Sequence, residues 1–588
     1  MSNFFGIIKK QGDGVLPSVR ALLRDHYTQK EGHFYFEKDF DISIFDNDQL
    51  LIMLCGFVSN IPELCLNHKT TSSCQAEALA KIYEDNPQGF QEKLLGNFAI
   101  SIFNKTTQEL ILVRDYFGAR PLYIIDQTNF LAFSTDLGLL TKSEILPLHL
   151  NQRTMVDFLC LRVRDNKSTF YTEIERLEAS HILTLKRGRV RACSYSYMPS
   201  PKTEPRQKPP IAFSEKFEAA IRHSHFETKK IGLMLSGGLD SSAIAIGMKN
   251  VGVQNVETFS GNYTHLPEKQ RALTDETKFQ AAISSSTGYN HNSLPLENIS
   301  PLASIEKQLT YFNEPIHMPN MYLFEEVALA AKRKHIDMIF DGQDGDTVIS
   351  HGSERFPELL KRLNLVSFLY EIFSYSSFNQ AKLKNTIKFF GYHIFLKWGL
   401  KKAPAENTSI VQDAIFFDKR FLYQSSQTAV DSHQDKLTSP LHAFAWEWRY
   451  LFFKHFGIEV RSPFYDKELI KFCVSLPSRW KLRNGKTRYI LRGYLQGQVS
   501  DLVSQRRKKA NLSHGIINNI TDADIQKIKL ELENIHPFLA STVNQQRLID
   551  SVNRLDNKNR ATDRDVMDLF GFYSANRWLR NNKELRLP

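Results

Sequence analysis

A string of glycines, serines and one aspartate follows a short apolar run near the middle of the chain. Residues 231–235 (IGLML) are continuously apolar, which is typical of a parallel strand buried on both faces, and residues 236–242 read SGGLDSS. A helical pattern begins at Ala243, so the order is strand, glycine-rich loop and helix N-terminus. Backbone amides and the helix dipole at such a loop attract phosphate, and the sequence therefore predicts a phosphate-binding site here.

Each residue type in this loop has a chemical use. The adjacent Gly237 and Gly238 allow the backbone to approach a ligand closely, and Asp240 supplies a carboxylate suited to Mg²⁺ bound between phosphates. Three hydroxyl groups add hydrogen-bond donors: those of Ser236, Ser241 and Ser242. The string is not a Walker A loop, because the lysine of that motif is absent, and it is not a GxGxxG motif. The structural alternative is a tight strand–helix turn with a capped helix.

The residues before position 199 predict a sheet-rich domain. Short apolar runs bounded by turn residues are typical of strands, and they occur at 50–58, 97–103, 109–113, 122–125 and 131–134. Helical spacing is present at 76–83 and 154–161. The stretch PSPKTEPRQKPP at 199–210 is rich in proline and predicts a stiff, extended linker. We therefore assign residues 1–198 to an N-terminal domain and residues 199–212 to a linker.

The pattern changes after the linker. Buried strands are predicted at 231–235, 257–260 and 337–341, and helical segments separate them. Such alternation predicts an α/β domain with a parallel sheet, which we place at 213–588. From about residue 353 to residue 580 the patterns are mostly helical, so this second domain is expected to contain many helices.

Composition excludes several classes of protein. The chain has 588 residues and a net charge of +11, and its hydrophobic and charged fractions, 42% and 24%, are those of globular proteins. The longest apolar run, 50–58, is far short of the roughly 20 residues of a membrane span, and the N-terminus lacks a secretory-signal pattern. Six cysteines form no CxxC pair, which predicts reduced thiols in the cytoplasm. No nucleic-acid-binding signature accompanies the basic charge, so we expect no nucleic-acid partner.

The SGGLDSS string resembles the SGGxDS pyrophosphate loop of the ATP-pyrophosphatase enzymes, which cleave ATP to AMP and pyrophosphate while adenylating a substrate. Further stretches resemble, in the same order, motifs of the asparagine synthetase family: RDYFGARPLY at 114–123, FYTEIERL at 170–177, EVRSPFYD at 459–466 and the basic segment at 507–509. The resemblance covers most of the chain. It implies an Ntn-hydrolase-like, glutaminase-like α+β domain followed by an α/β ATP-pyrophosphatase synthetase domain with many helices.

The resemblance assigns particular roles to residues of this sequence. Asp240 and Asp346, the second within DGQDGDT at 341–347, would bind Mg²⁺, and Lys509 would stabilise charge as an amine attacks the adenylate. Whether Lys508 or Lys509 takes that role depends on one residue of register, and the residues that follow favour Lys509. The expected cofactors are ATP and Mg²⁺. The ATP and pyrophosphate site would comprise the loop and the ends of neighbouring strands: Leu235, Ser236, Gly237, Gly238, Asp240, Ser241, Ser242, Ser260, Asp341 and Gly342.

One departure from the family pattern concerns the N-terminal domain. Glutamine-dependent members carry an N-terminal cysteine that releases ammonia, whereas position 2 is serine here and Phe5 stands in the aligned place before Gly6. Residues 55–57 (CGF) replace the glutamine-binding Asn-Gly-Glu element, and Cys55 cannot substitute because it lies within a predicted strand. The N-terminal domain is therefore expected to be a degenerate amidotransferase that makes no ammonia.

A second departure concerns the C-terminal domain. Gln343 stands where the family has a glutamate, and glutamine cannot act as a base. By chemistry alone, the remaining candidates for a base are Asp344, His351 and Glu447.

Family members without the glutaminase cysteine include β-lactam synthetases and lasso-peptide cyclases, in which an amine of the same molecule attacks the adenylated carboxylate. The opening FFGII, the DGQDGD string and the aromatic, basic region at 353–440 favour the cyclase. Such an enzyme joins an Asp or Glu side chain of a precursor peptide to the peptide's N-terminal amine, and it would need a leader-binding protein and a leader peptidase as partners. The alternatives are an ammonia-using asparagine synthetase, a β-lactam synthetase and an inactive interaction protein.

Overall fold

The computed structural model describes most of the chain. The described residues are 3–10, 16, 25–29, 32–36, 41–67, 74–195, 208–225, 229–316, 318–397, 410–412, 433–507, 509–558 and 560–587. Residues 199–207 of the predicted linker lie outside these ranges, as do Ser2 and Lys508. An extended linker cannot continue to residue 212 as predicted, because a helix begins at Pro209. Proline fits the first turn of a helix, where its missing N–H would have no partner.

Strands are numbered in chain order. Those of the N-terminal part are β1 (Phe4–Lys9), β2 (Asp25–Gln29), β3 (Gly32–Phe36), β4 (Ile42–Asp46), β5 (Leu50–Val58), β6 (Gly96–Asn104), β7 (Glu109–Arg114), β8 (Tyr123–Asp126), β9 (Phe130–Ser134), β10 (Glu175–Arg176), β11 (His181–Lys186) and β12 (Arg189–Ser194). Those of the C-terminal part are β13 (Ile231–Met234), β14 (Glu257–Asn262), β15 (Asn290–Pro295), β16 (Met338–Phe340), β17 (Glu459–Arg461), β18 (Leu482–Arg483) and β19 (Lys486–Thr487). The strands predicted in the N-terminal part are all confirmed, and β5 matches its predicted bounds at both ends.

Helices flank the sheets in both parts. Those of the N-terminal part are Ile61–Asn67, Gln75–Asp85, Phe90–Lys93, Leu137–Lys142 and Gln152–Leu159. Those of the C-terminal part are Pro209–Ser224, Leu239–Asn250, Glu268–Thr274, Thr277–Thr287, Pro301–Phe312, Met321–Arg333, Gly345–Ile349, Arg355–Lys361, Leu365–Asn379, Leu383–Lys397, His433–Leu437, Pro440–His455, Lys467–Ser475, Ser478–Lys481, Tyr489–Leu495, Asp501–Ser504, Ser513–Asn519, Asp522–Glu533, Pro537–Thr542, Gln545–Asp556 and Asp563–Asn581. Among the described helices, none combines the length and the apolar character needed to cross a bilayer.

The N-terminal domain consists of two antiparallel sheets of six strands each. Their strand orders are β10–β8–β9–β1–β3–β2 and β12–β11–β7–β6–β5–β4. The inner faces pack together, and the ring of Phe34 in β3 is centred 4.8 Å from that of Phe103 in β6. Helices cover the outer faces, which is why β5 is apolar on both sides and forms a continuous run in the sequence. This layered α+β arrangement confirms the predicted Ntn-hydrolase-like domain.

The C-terminal domain contains a parallel sheet of five strands, as predicted. Its order is β15–β14–β13–β16–β17. β13 lies in the centre, β14 and β15 lie on one side of it, and β16 and β17 lie on the other. In such sheets, ligands bind beyond the carboxyl ends of the two strands at which the order reverses. Here those strands are β13 and β16, which pair in parallel. The fold therefore places the glycine-rich loop (236–242) beside the acidic segment (341–347).

A buried carboxylate joins the two domains. Glu447 of the C-terminal domain accepts hydrogen bonds from Arg114 (2.7 Å) and Arg176 (2.8 Å) of the N-terminal domain. The Tyr123 hydroxyl donates a third at 2.7 Å, and Glu314 pairs with Arg176 at 2.5 Å. Burial raises the pKa of Glu447, but the two guanidinium groups more than offset it, so that the pKa is lowered. The carboxylate is therefore ionised and fully committed to the domain junction.

Replacing Glu447 with alanine tests this junction. The substitution leaves buried guanidinium groups without their carboxylate, which typically costs about 3–5 kcal/mol of folding free energy. We expect Glu447→Ala to lower the free energy of unfolding in urea by about that amount. The control Glu533→Ala, at an exposed helix end, should change it by less than about 0.5 kcal/mol. Equal unfolding free energies for the two variants would show that the junction contributes no stability.

Candidate functional site

The glycine-rich loop connects the end of β13 to the helix Leu239–Asn250. Gly237 has a left-handed φ of +70°, and a Cβ atom there would lie 2.6 Å from the Cβ of Phe279. Glycine meets both demands, because other residues disfavour this conformation and have no space for a side chain. Asp240 lies in the first turn of the helix, whose N-terminal amides and dipole favour a bound phosphate. The predicted order of strand, loop and helix is therefore confirmed, but the helix begins at Leu239, four residues before its predicted start, so that the second half of the predicted loop forms its first turn.

Two of the three loop serines lie close together. The Oγ atoms of Ser236 and Ser241 are 3.2 Å apart, and the Gly238 N–H donates to the Ser236 hydroxyl at 3.3 Å. Ser236 is exposed, whereas Ser242 is fully buried in the core. Of the three predicted hydroxyl donors, Ser236 and Ser241 thus lie within hydrogen-bond distance of each other, whereas the buried Ser242 hydroxyl has no hydrogen-bond partner among the described residues.

Leu235 and Ser260 lie side by side at the carboxyl edge of the sheet. The Leu235 N–H donates to the Phe259 carbonyl at 2.9 Å, and the Ser260 hydroxyl donates to the Leu235 carbonyl. Both residues are buried. The structure therefore places them next to the loop, with the hydroxyl of Ser260 committed to the backbone.

The acidic segment approaches the glycine-rich loop through two glycines. A Cβ atom on Gly342 would lie 2.7 Å from the backbone nitrogen of Ser241, and one on Gly345 would lie 2.8 Å from the carboxyl carbon of Asp240. Neither position has room for a side chain, so the two segments can approach this closely only through glycine. Their contact brings Asp240 and Asp346, the two predicted Mg²⁺ ligands, close enough for the charge of Asp346 to raise the pKa of Asp240.

Each of these two carboxylates is paired with a cation. One guanidinium nitrogen of Arg488 donates to both oxygens of Asp240, at 2.9 and 2.8 Å, and Lys509 lies 3.2 Å from Asp346. Burial raises the pKa of Asp240; Arg488 opposes this effect, and the Asp346 charge adds to it. Burial also acts to raise the pKa of Asp346, but Lys509 and Arg488 hold it below its usual value. The two acids and the two cations thus form one electrostatic unit.

This arrangement fits Mg²⁺ and phosphate. Mg²⁺ is usually bound through one or two carboxylates and the phosphates of its substrate, a donor set that Asp240 and Asp346 match. Arg488 and Lys509 are cations that phosphate oxygens would attract once a metal takes the carboxylates. In the part of the chain that the structure describes, no cluster of three or more His, Cys, Asp or Glu side chains could hold a metal. Asp240 and Asp346 are thus the two carboxylates of the described residues that would hold a metal together with phosphate.

Asp341, predicted at the ATP site, has other partners. It is 1% exposed, and its carboxylate is held by Arg449 and by the Ser462 hydroxyl. Arg449 also donates to the side chain of Gln343 at 2.8 Å. The carboxylate of Asp341 is therefore committed to fixing the acidic segment rather than to a nucleotide.

The three candidate bases lie in different surroundings. Glu447 is bound in the domain junction, which removes it from the site. Asp344 accepts a hydrogen bond from the Tyr465 hydroxyl at 2.6 Å. The imidazole of His351 lies 3.9 Å from the carboxylate of Asp346. His351 is therefore the candidate that contacts a predicted metal ligand.

Two arginines at the site were not predicted from the sequence. Arg488, whose φ is +51°, binds Asp240 from a position 248 residues further along the chain. Arg506 donates to the Gly237 carbonyl at 2.7 Å and pairs with Glu276. No spacing in the sequence connects either arginine with the loop, and the one available signal is the basic run that begins at Arg506.

A buried histidine supports the acidic segment. Nε2 of His433 lies 2.9 Å from the carbonyl oxygen of Thr347, and its Nδ1 lies 2.9 Å from Nζ of Lys481. Lys481 in turn pairs with Glu354 at 3.2 Å. Burial and the Lys481 charge lower the pKa of His433 to about 4. The folded protein therefore keeps this imidazole neutral, with Nε2 hydrogen-bonded to the residue that follows Asp346.

The neutral imidazole predicts a loss of stability in mild acid. Between the unfolded pKa of about 6.5 and the folded value of about 4, the unfolded chain binds a proton at His433 that the folded chain does not. The free energy of unfolding therefore falls as the pH decreases through this range, by about 3 kcal/mol for the full shift. We expect His433→Gln to flatten this dependence in urea unfolding, whereas His335→Asn, at an exposed position, leaves it unchanged. A wild-type slope in His433→Gln would contradict the assignment.

Comparison with known proteins identifies relatives of both domains. The family model described as asparagine synthase matches residues 212–580, which is more than half of the chain, and that of a glutamine amidotransferase domain matches residues 46–197. The matched regions contain the parallel sheet with its two carboxylates and most of the paired antiparallel sheets.

Three curated relatives carry the name asparagine synthetase (glutamine-hydrolyzing). Number 2 of Bacillus subtilis is 26% identical over 219 residues, which cover 34% of this chain and 29% of the relative. Number 1 of the same organism is 22% identical over 519 residues, which cover 79% of this chain and 76% of the relative. Number 3 of Arabidopsis thaliana is 22% identical over 423 residues, which cover 71% of this chain and 57% of the relative. The chain therefore aligns with less than a third of the first relative and with about three quarters of the second.

Proposed function

The chain belongs to the asparagine synthase family, whose members are ATP-dependent ligases that form carbon–nitrogen bonds, and within this family we propose that it is a lasso-peptide cyclase. The enzyme would adenylate the side-chain carboxylate of an Asp or Glu in a precursor peptide, and the peptide's N-terminal amine would close a macrolactam. The observation that carries the proposal is an apolar cavity of about 290 Å³ beside the segment that holds Lys509.

The first step depends on the charges at the carboxyl edge of the sheet. The peptide carboxylate attacks the α-phosphorus of ATP, the bond to the bridging oxygen of the β-phosphate breaks, and pyrophosphate leaves. Mg²⁺, when bound, neutralises charge on the leaving group. Asp240 and Asp346 would hold the metal, the amides of the glycine-rich loop would bind phosphate, and Arg488 would offset the remaining negative charge.

In the second step, the amine attacks the acyl carbon of the adenylate and AMP leaves. The amine loses a proton to solvent, and Lys509, which lies 3.2 Å from Asp346, would stabilise the negative charge that develops at the reacting centre. The balance is the loss of one water molecule from the peptide, with ATP converted to AMP and pyrophosphate. Because both reacting groups belong to one peptide, holding them together supplies much of the rate.

The N-terminal domain favours an amine other than ammonia from glutamine. Phe5, in the aligned place of the nucleophilic cysteine, is buried in β1, with its ring centred 5.7 Å from that of Tyr35. Cys55 is fully buried in β5, and burial raises the pKa of its thiol to about 11. A protonated thiol inside a strand is a poor nucleophile. Neither position offers a group that would attack glutamine, and an amine supplied by the substrate is the simpler source.

The apolar cavity favours a peptide over a free amino acid as the acceptor. Its wall is mainly apolar and includes Met318, Leu512, Ile516, Val566 and Met567. Leu512 follows Lys509 by three residues, so their Cα atoms lie within about 11 Å of each other. Aspartate, which is small and charged, would gain little from such a wall. Apolar side chains of a peptide would leave water on entering it, which stabilises the complex.

A second candidate is an asparagine synthetase that uses ammonia. The names of the relatives favour it, since each of the three is called an asparagine synthetase. A β-lactam synthetase would use the same paired carboxylates, because all three reactions begin with adenylation of a carboxylate. An inactive interaction protein would have no use for the acids and cations gathered around Asp240 and Asp346.

Substrate-dependent release of pyrophosphate distinguishes these functions. The protein, with ATP and Mg²⁺, would be given either aspartate and ammonia or a synthetic core peptide with a free N-terminus and an internal Asp or Glu. Each arm would be run alone and with any leader-binding protein and leader peptidase encoded beside it, and Asp240→Ala would serve as the inactive control. A peptide product lighter by one water supports the cyclase. Pyrophosphate release with aspartate and ammonia, and none with the peptide, would instead support the asparagine synthetase.

Two adjacent lysines provide a matched pair of variants. Removing one charge-stabilising group from an active site typically lowers kcat by about 10²–10³. We expect this loss for Lys509→Ala, with little change in the KM for ATP, whereas Lys508→Ala should retain most of the activity. If instead Lys508→Ala loses activity and Lys509→Ala keeps it, Lys508 has the role assigned here to Lys509. Full activity in both variants would remove the segment from the mechanism.

Filling the apolar cavity should separate peptide binding from ATP binding. Met567→Trp places a larger side chain in the wall, and we expect the KM for the core peptide to rise about tenfold, equivalent to about 1.4 kcal/mol, with the KM for ATP unchanged. Ile549→Trp, at a position that is 43% exposed and outside the cavity, is the matched control. An unchanged KM for the peptide in Met567→Trp would place the peptide elsewhere.

A further inference from the structure

A group of apolar side chains is exposed on the helical hairpin formed by Leu365–Asn379 and Leu383–Lys397. Of the fifteen large apolar side chains that are exposed in the described part of the chain, seven lie between residues 363 and 387. Four of them, exposed by 82, 53, 56 and 55%, have the spacing of one helix face: Val366, Leu369, Tyr370 and Phe373. These four residues form a continuous band along the first helix, here called the apolar stripe.

The opposite face of this helix is packed against the domain. Glu371 is buried and accepts hydrogen bonds from Arg355 and from the Gly485 N–H, both at 3.1 Å. Ile372, 4% exposed, packs in a cluster with Phe356. The helix is therefore fixed on one side and presents apolar side chains to solvent on the other. A contiguous apolar surface of this kind marks an interaction site.

The helical hairpin that carries the apolar stripe is rich in positive charge. From residue 359 to residue 397 the sole acidic residue is Glu371, which is buried, and the preceding Glu358 pairs with Arg362 at 2.9 Å. Exposed lysines lie on both sides of the stripe in sequence: Lys361, Lys382, Lys384 and Lys388. Lys384 and Lys388 are one helical turn apart, and the exposed Ile387 shares their face. On an anionic membrane, lysines can pair with the headgroups while neighbouring apolar side chains contact the acyl chains beneath them.

We propose that this hairpin docks the protein on an anionic lipid surface. The first helix lies in the plane of the interface, with the apolar stripe at the level of the upper acyl chains and the lysines at the phosphate layer. Its 15 residues extend about 22 Å, which is too short to span the hydrocarbon core but suits an interfacial helix. The inference goes beyond the proposed function and does not depend on which carboxylate the enzyme activates.

Co-sedimentation of the full chain with lipid vesicles tests the proposal. We expect binding to vesicles that contain phosphatidylglycerol, and binding at least about tenfold weaker to vesicles of phosphatidylcholine alone, because the zwitterionic headgroups of phosphatidylcholine have no net negative charge to attract the lysines. Raising the salt concentration to about 1 M should weaken binding, because it shortens the Debye length from about 10 Å to about 3 Å.

Two variants and a control separate the parts of the surface. The combination of Val366→Asp, Leu369→Asp and Phe373→Asp removes the apolar stripe and should weaken vesicle binding by at least about tenfold. Lys384→Glu with Lys388→Glu should weaken binding to anionic vesicles only. Leu530→Asp, at a position that is 56% exposed on another helix, should bind as the wild type does. Thermal unfolding followed by circular dichroism verifies that each variant is folded.

Three results would overturn the proposal. The first is no binding to anionic vesicles, and the second is binding that the folded stripe variant retains. The third is equal binding to anionic and neutral vesicles, which would remove the role of the lysines. A dimer in sedimentation velocity that the stripe variant alone dissociates, without vesicle binding, would assign the apolar stripe to a second copy of the chain.

Discussion

The candidate site depends on holding two negatively charged carboxylates close together at one edge of a parallel sheet. Asp240 and Asp346 follow neighbouring strands, and the glycines at the contact of their loops leave no space that would separate them. Two carboxylates this close, of which Asp240 is buried and Asp346 half-buried, disfavour each other's ionisation unless cations balance them. Arg488 and Lys509 provide that balance in the structure. A metal bound with phosphate would take the place of these two cations on the carboxylates.

The N-terminal domain has a structural use that does not require a nucleophile. Arg114 and Arg176 belong to the two family-like strings of that domain, and both bind Glu447 of the C-terminal domain. The helix Pro440–His455 carries Glu447 and also Arg449, which holds Asp341 behind the site. One helix thus connects the domain junction with the acidic segment. Loosening the junction should therefore also affect the position of the acidic segment.

Local patterns were sufficient to predict the loop and the strand before it. A continuous apolar run followed by paired glycines leaves few alternatives, and β13 lies where that run predicts it. Arg488 could not be predicted, because its bond to Asp240 spans 248 residues and depends on the tertiary fold. The family resemblance assigned Asp341 to the ATP site, but in the fold its carboxylate pairs with Arg449. Glu447 was a candidate base by chemistry, but it pairs with Arg114 and Arg176. Sequence patterns therefore predicted the backbone elements of the site better than the side chains that pair with its charged residues.

A crystal structure with Mn²⁺ in place of Mg²⁺ and a non-hydrolysable ATP analogue would show directly whether Asp240 and Asp346 hold the metal. Anomalous scattering locates the metal independently of the protein atoms. We expect a Mn²⁺ peak within coordination distance of carboxylate oxygens of both Asp240 and Asp346, with the phosphates on the amides of the glycine-rich loop. Lys509 would then no longer pair with Asp346. Bound nucleotide with the metal at other residues, or with both carboxylates still paired to Arg488 and Lys509, would contradict this expectation.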